Sequence, residues 1–240
     1  KREQVVIATK GGMDLGPGRK GLSKARITKA VEDSLKRLGT DRIDLYQAHI
    51  DDAATPHEET LGAFAGLIAQ GKVRAIGASN HTAGRLVEAL ELSARLGLPR
   101  YETLQPQYSL CERAGFEAEL EAVCVSRGVG VITWGSLASG FLTGKYRAAK
   151  DAEGRARGER VKRYLNERGR RILEALDEVA AQTRSTPAQA ALAWLMARPG
   201  VTAPIASATS LEQLDDLIAA TSLALPASAT AALDRASASA

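Results

Sequence analysis

The stretch SLKRLGTDRIDLYQAHIDD, residues 34–52, contains a helix end, a turn, a strand and a histidine in that order. Gly39 is typical of a helix stop, and the apolar run 43–48 is typical of a buried parallel strand. His49 follows that strand, as Lys10 follows the run VVIAT at 5–9. Because the ends of parallel strands meet on one face of a barrel, we expect Lys10 and His49 to share an active site.

The same alternation of short apolar runs and longer helical stretches continues along the chain. Helical spacing is clear behind Ser23, behind Thr55 and behind Thr186, and the last two residues are predicted as helix N-caps. Six strand–helix units fit either an open doubly wound sheet or part of an eight-unit barrel, and no GxGxxG follows any strand, which disfavours a Rossmann fold. The predicted strands are 5–9, 43–48, 73–78, 103–105, 129–134 and 201–205.

Composition narrows the class of protein. A chain of 240 residues with 45% hydrophobic content predicts one large α/β domain over 1–240. The net charge is only +4, with much of the basic excess within 145–171, so neither a nucleic-acid nor a membrane partner is expected. Cys111 and Cys124 lack metal-site spacing, which predicts no metal centre, and Cys124 is expected in the core. We found no spanning segment or signal peptide, and a cytoplasmic location is expected.

Two further segments have distinct compositions. The stretch 145–168 is polar and rich in Gly and Arg, and it is predicted to be a mobile loop near the active site. The stretch 221–240 is predicted to be a C-terminal tail, for which an Ala-rich helix and a frayed end both remain open.

Six motifs occur in one order, each about one strand–helix unit from the next, and together they closely resemble the aldo-keto reductase family from Val5 to about Ala220. The resemblance implies a (β/α)8 TIM barrel, of which this chain corresponds to units three to eight. We expect two units, with the family's catalytic Asp and Tyr, to precede Lys1. The motifs are TKGG, SLKRLGTDRIDLYQAHIDD, GKVRAIGASN, LQPQYSL, TWGSLASGFLTGKY and PIASATSLEQLDDL.

The resemblance also implies a reaction. The family reduces an aldehyde or ketone by hydride transfer from NADP(H), with NAD(H) as the alternative cofactor, while a tyrosine gives the proton. Lys10 matches the lysine that makes this phenol more acidic, and His49 matches the histidine that orients the carbonyl. Tyr46 matches a scaffold tyrosine. A small carbonyl compound is therefore the expected partner.

The cofactor-binding residues implied by the resemblance fall into three groups. The first would hold the nicotinamide amide, the second would stack on its ring and form a belt over the pyrophosphate, and the third would contact adenosine. A threonine at 209, where many relatives have arginine, leaves the preference between NADP(H) and NAD(H) open. The groups are Ser79, Asn80 and Gln105; Trp134, Gly135, Ser136, Leu137, Gly140, Leu142, Gly144 and Lys145; and Ser207, Thr209, Gln213 and Asp216.

Several alternatives stay open from the sequence alone. Asn80 also fits a helix cap, and Trp134 also fits a core residue. The second functional hypothesis is a non-catalytic nicotinamide-nucleotide-binding protein, either regulatory or a truncated relative of the reductases. It would follow if no units preceded Lys1 and another chain closed the edge of the barrel. The sequence predicts no oligomeric state.

Overall fold

Strands and helices alternate through most of the computed structural model, which describes residues 1–238. The paired strands are parallel, and this repeat is the one found in (β/α)8 barrels, so the predicted α/β class is confirmed. The strands are β1 (Ala8–Gly11), β2 (Ile43–Ala48), β3 (Val73–Ser79), β4 (Tyr101–Gln105), β5 (Gly130–Thr133) and β6 (Val201–Pro204).

The helices between the strands vary in length from one turn to nearly five turns. They are α1 (Lys24–Leu38), α2 (His57–Ala69), α3 (Ala83–Leu96), α4 (Ala114–Glu117), α5 (Leu120–Arg127), α6 (Ala149–Ala152), α7 (Gly158–Lys162), α8 (Glu167–Thr183), α9 (Pro187–Met196), α10 (Leu211–Ala219) and α11 (Ala227–Ser237). Three 3₁₀ segments add Arg2–Gln4, Ala138–Thr143 and Ala220–Ser222.

The chain forms two compact units. The first unit consists of Lys1–Pro106 and Ala122–Gly130, and the second consists of Gln107–Glu121 and the chain from Val131 onward. That 1–240 forms one domain stays a prediction.

In the first unit, β1 to β4 pair in chain order, and every residue of β2 is buried. Apolar stripes on the helices cover these strands: Val31 on α1, Phe64 on α2 and Leu86 on α3 are all inaccessible to solvent. The left-handed Gly39 and Gly97 end α1 and α3, as their sequences indicate. The unit therefore presents the carboxyl ends of four parallel strands.

In the second unit, β5 pairs with β6, and α8, α9 and α11 form the core. Trp194 of α9 is fully buried and donates from Nε1 to Asp234 Oδ1 of α11 at 2.9 Å. The open question about the tail is thus answered by a helix over Ala227–Ser237. By contrast, α10 forms where its apolar spacing predicts, yet it has no buried residue.

Two sequence predictions need correction. The first strand begins at Ala8 rather than at residue 5, because Ala8 is the first residue paired with β2, while Val5 and Val6 are 54% and 78% exposed. Thr55 does not cap α2, since the helix starts after Pro56 and the Thr55 hydroxyl donates to Asp52 Oδ2 at 2.7 Å. Thr186, however, caps α9 as expected, and the structure adds Gln189 as its capping-box partner.

The segment 145–168 contains α6 and α7 and buries Ala152, Val161 and Tyr164. Its mobility stays a prediction. Within residues 1–238 no single helix is long and apolar enough to cross a bilayer, and the segments Leu211–Ser222 and Ala227–Ser237, bent by 116°, meet that criterion only when taken together.

Candidate active site and nucleotide pocket

Lys10 lies near the end of β1, where its Nζ donates to Gln105 Oε1 of β4 at 2.6 Å. The Gln105 amide is engaged on both sides, because its Nε2 donates to Gln47 Oε1 at 3.0 Å. These contacts cross β3 at Gly77, where a Cβ would lie 3.2 Å from Gln47 Cγ and 2.3 Å from Thr103 Oγ1. Glycine at 77 thus leaves room for a polar row across the strand ends.

His49 follows β2 directly, and its backbone N–H donates to Gly11 O at 2.8 Å. Burial, and then the positive charge of Lys10, lower the pKa of His49. Burial also lowers the pKa of Lys10. The neutral imidazole is therefore favoured at pH 7 and carries one N–H that can be donated to a carbonyl oxygen.

Ser79 is the last residue of β3, and Asn80 follows it. The Ser79 hydroxyl donates to Gln105 O at 2.9 Å, and Asn80 Nδ2 donates to His49 O at 3.0 Å. Asn80 has a left-handed backbone, with φ of 54°. Its alternative role as a helix cap is wrong, because Thr82 caps α3 by accepting from Arg85 N. Lys10, His49, Ser79, Asn80 and Gln105 are thus brought together in the first unit.

In the second unit, Trp134 follows β5 and forms a parallel bridge with Gln107. Trp134 is only partly buried, whereas Trp194 is fully buried. The partial exposure of Trp134 does not fit its alternative role as a core residue. The turn after it has an uncommon backbone: Ala138, Ser139 and Gly140 all have positive φ, of 48°, 60° and 96°. Left-handed conformations at residues other than glycine store strain, and such strain concentrates at ligand sites.

A cavity of about 780 Å³ opens beside this turn, entirely within the second unit. Most of the residues implied for the phosphate and adenosine ends of a nucleotide line it. Leu142 and Gly144 do not line it. Leu142 is fully buried, and Gly144 is the residue that follows the 3₁₀ segment Ala138–Thr143. The predicted residues on its wall are Gly135, Ser136, Leu137, Gly140, Lys145, Ser207, Thr209, Gln213 and Asp216.

Three of the adenosine-side residues, Thr209, Gln213 and Asp216, are already hydrogen-bonded to one another or to neighbouring elements. Gln213 Oε1 accepts from Thr209 N at 2.9 Å and from its hydroxyl at 3.1 Å. Asp216 accepts from the Thr186 hydroxyl at 2.9 Å and from Gln189 Nε2 at 2.8 Å, which ties α10 to the start of α9. Ser210 caps α10, whose N-terminus favours an anion.

Two cationic residues of this cavity were missed by the sequence analysis. Arg155 and Arg157 lie between α6 and α7 and line the wall together with Lys145. No carboxylate among residues 1–238 pairs with any of these three cations. The motif GRAR at 154–157 was a signal, but only the fold of 145–168 brings it to the cavity. The same residues 1–238 contain no group of three or more His, Cys, Asp or Glu side chains suited to a metal ion.

A comparison with protein families matches residues 1–238 to the Aldo/keto reductase family. The chain belongs to the aldo/keto reductase family.

Its curated relatives in the aldo/keto reductase family have varied names. The chain is 39% identical over 233 residues to the Bacillus subtilis "Uncharacterized oxidoreductase YrpG", covering 94% of this chain and 69% of the relative. It is 36% identical to a "Probable voltage-gated potassium channel subunit beta" of Oryza sativa (89% and 67%) and 33% identical to the Escherichia coli "L-glyceraldehyde 3-phosphate reductase" (91% and 65%). The chain therefore spans about two thirds of these relatives, and the family supports an oxidoreductase.

Proposed function

We propose that the protein reduces an aldehyde or ketone to an alcohol with NADP(H). The observation that carries this proposal is the group at the strand ends of the first unit, where Lys10 donates to Gln105 at 2.6 Å and where burial, and then the charge of Lys10, lower the pKa of His49. A nicotinamide nucleotide supplies hydride when it is bound. The protein must orient the carbonyl and help deliver a proton.

His49 is proposed to orient the substrate. As a neutral imidazole it donates one N–H to the carbonyl oxygen and polarises the C=O bond without giving up its proton. Lys10 is proposed to act on the proton donor, because a nearby ammonium favours the phenolate form of a tyrosine and lowers its pKa.

Tyr46 does not suit the role of proton donor. Burial raises its pKa to about 12, and its ring packs on Phe64 with centroids 6.1 Å apart. The resemblance puts the donating tyrosine in a part of the family fold that precedes β1. The proposed activity is accordingly that of the whole protein.

NADP(H) is proposed over NAD(H) because of charge. The 2′-phosphate of NADP(H) is the group that NAD(H) lacks, and arginine binds phosphate in a bidentate manner. Arg155 and Arg157 line the same cavity as Thr209, where many relatives have their arginine. Glycine and left-handed backbone at 138–140 allow N–H groups to approach a phosphate closely. The residues present therefore fit the cofactor.

A second candidate function is a regulatory protein that binds the nucleotide without turnover. The similarity to a rice protein named as a probable voltage-gated potassium channel subunit beta supports this second candidate. This candidate shares the cavity of the second unit but requires no reduction of a carbonyl. Small-molecule carbonyl binding, a cytoplasmic location and the absence of nucleic-acid, membrane and metal partners stay predictions.

The test is a titration followed by a turnover assay. Quenching of protein fluorescence should give a lower Kd for NADPH than for NADH. Loss of NADPH absorbance should then follow addition of aldehydes, with phosphorylated and unphosphorylated C3 aldehydes in the panel. Lys10→Met should lower kcat by at least about 100-fold, while the Kd for NADPH changes little. Tight NADPH binding without turnover of any carbonyl would favour the regulatory candidate, and absence of binding would refute both.

A further inference from the structure

A group of ionisable side chains lies behind the Ser79–Asn80 turn in the first unit. It consists of Asp51, His57, His81, Arg85 and Glu88, and none of them has a role in the proposed reaction. His81 is the most deeply placed, since its side chain is inaccessible to solvent. Its ring meets Tyr101 edge-on, with centroids 5.6 Å apart.

The single hydrogen bond of the His81 ring among residues 1–238 goes to the Ser79 carbonyl oxygen. His81 Nδ1 lies 3.0 Å from that oxygen. Because a carbonyl only accepts, the hydrogen must be on Nδ1. Nε2 has no hydrogen-bond partner in the described chain, and Asp51 Oδ1, 3.8 Å away, is too distant to accept from it.

Through the hydrogen bond to His81, both polar groups of the Ser79–Asn80 peptide are hydrogen-bonded. The peptide between Ser79 and Asn80 has its carbonyl held by His81 and its N–H held by Gln105 O at 3.4 Å. Asn80 then adopts a left-handed backbone, which is uncommon for a residue with a side chain and least costly for asparagine. The orientation of this peptide sets where the side chains of Ser79 and Asn80 point.

The histidine is held in place from the other side. Asp51, two residues after His49, accepts two hydrogen bonds from Arg85 of α3, at 2.8 and 3.0 Å. Arg85 Nη1 also donates to Glu88 at 2.8 Å. The ion pair connects the chain after β2 to α3 beside His81.

We propose that His81 is a positioning residue for the nicotinamide amide, acting through the Ser79 carbonyl to fix the Ser79 and Asn80 side chains. The inference rests on the proposed function, because it assumes that these two side chains bind the amide. It adds a residue that touches neither cofactor nor substrate.

Two variants separate this role from a merely structural one. His81→Asn retains an N–H donor near the position of Nδ1 but loses the ring, whereas His81→Phe retains the ring against Tyr101 but loses the donor. Each is titrated at pH 7.5 with NADPH and with 2′,5′-ADP, which has the adenosine and 2′-phosphate but no nicotinamide. We expect His81→Phe to weaken NADPH binding about tenfold with 2′,5′-ADP unchanged, and His81→Asn to resemble the wild type.

Other outcomes overturn the proposal. If His81→Phe binds NADPH like the wild type, or loses both ligands equally, His81 does not position the amide. If the wild type itself binds 2′,5′-ADP but not NADPH, or neither ligand, the proposed function fails first, which is visible before any variant is made. If His81→Phe does not fold, long-range ¹H–¹⁵N spectra of the wild type decide: the Nδ1–H tautomer of His81 supports the proposal, and the Nε2–H tautomer refutes it.

Discussion

Individual arginines can decide which nicotinamide nucleotide a reductase accepts. Arg155 and Arg157 line the second unit's cavity and have no carboxylate partner within residues 1–238. Their charge is thus available to a ligand. A phosphate dianion would gain charge-assisted hydrogen bonds from them, while the hydroxyl of NAD(H) at the same position would gain little.

We predict that Arg155→Gln and Arg157→Gln each weaken NADPH binding by about tenfold and leave NADH binding unchanged. Fluorescence titrations at low and high salt measure this, and the difference between the variants and the wild type should shrink at high salt. Arg160→Gln is the matched control, because Arg160 belongs to the same segment but does not line the cavity. An equal loss of both cofactors would contradict the assignment.

The residues of the site differ in how well the sequence alone could place them. Lys10 and His49 follow apolar runs whose ends must coincide in a parallel sheet, so their proximity was predictable. Arg155 and Arg157 were not, because they reach the cavity only through the fold of a polar segment with little apolar periodicity. Leu142 lies in a motif that matches the family, yet its side chain is fully buried.

At the scale of elements, the packing of β1 against β2 requires a glycine at position 11. A Cβ on Gly11 would lie 2.1 Å from Tyr46 Oη, 3.1 Å from Tyr46 Cζ and 3.4 Å from Ala30 Cβ. Tyr46 is 1% exposed and cannot move outward. The glycine therefore makes room for the buried tyrosine.

We predict that Gly11→Ala lowers the free energy of unfolding by about 1–3 kcal/mol, as overpacking does in other cores. Adding Tyr46→Phe removes the oxygen nearest to the new methyl group and should restore part of that loss. Urea unfolding measures both variants.

The control for this prediction is Gly66→Ala on α2, where no atom lies within 4 Å of the added Cβ. It should raise the free energy of unfolding by about 0.5–1 kcal/mol, because alanine is the better helix former. If Gly11→Ala proves as harmless as Gly66→Ala, the close contact with Tyr46 is not a constraint on the fold.

The observed boundaries of strands and helices show which local sequence signals were sufficient to predict where an element begins and ends. The strand 43–48 was predicted to the residue, because all six of its residues are buried and turn residues flank it. Val5 and Val6 are residues of high β-propensity, yet they do not pair with β2. Pairing, rather than propensity, therefore sets the start of β1. Thr55 failed as a cap because its hydroxyl donates instead to Asp52, three residues earlier in the same turn.

At the scale of the whole molecule, the chain's three histidines share one electrostatic property. His49, His57 and His81 all lie in the first unit, and burial lowers the pKa of each one from 6.5. In the folded state they resist protonation, whereas in the unfolded chain they take up protons once the pH falls to about 6.5. Below that pH the unfolded state therefore binds more protons than the folded state.

We predict that the free energy of unfolding is highest above pH 6.5 and falls as the pH decreases from about 6.5 toward the lowered pKa values of the folded state. Linkage limits the slope to about 1.4 kcal/mol per pH unit for each histidine involved. Urea unfolding at pH 7.5, 6.5 and 5.5 measures it. His57→Gln should flatten the curve, since it removes one proton-binding group from the unfolded chain. A free energy of unfolding that stays constant between pH 7.5 and 5.5 would show that the buried histidines protonate as readily in the folded protein as in water.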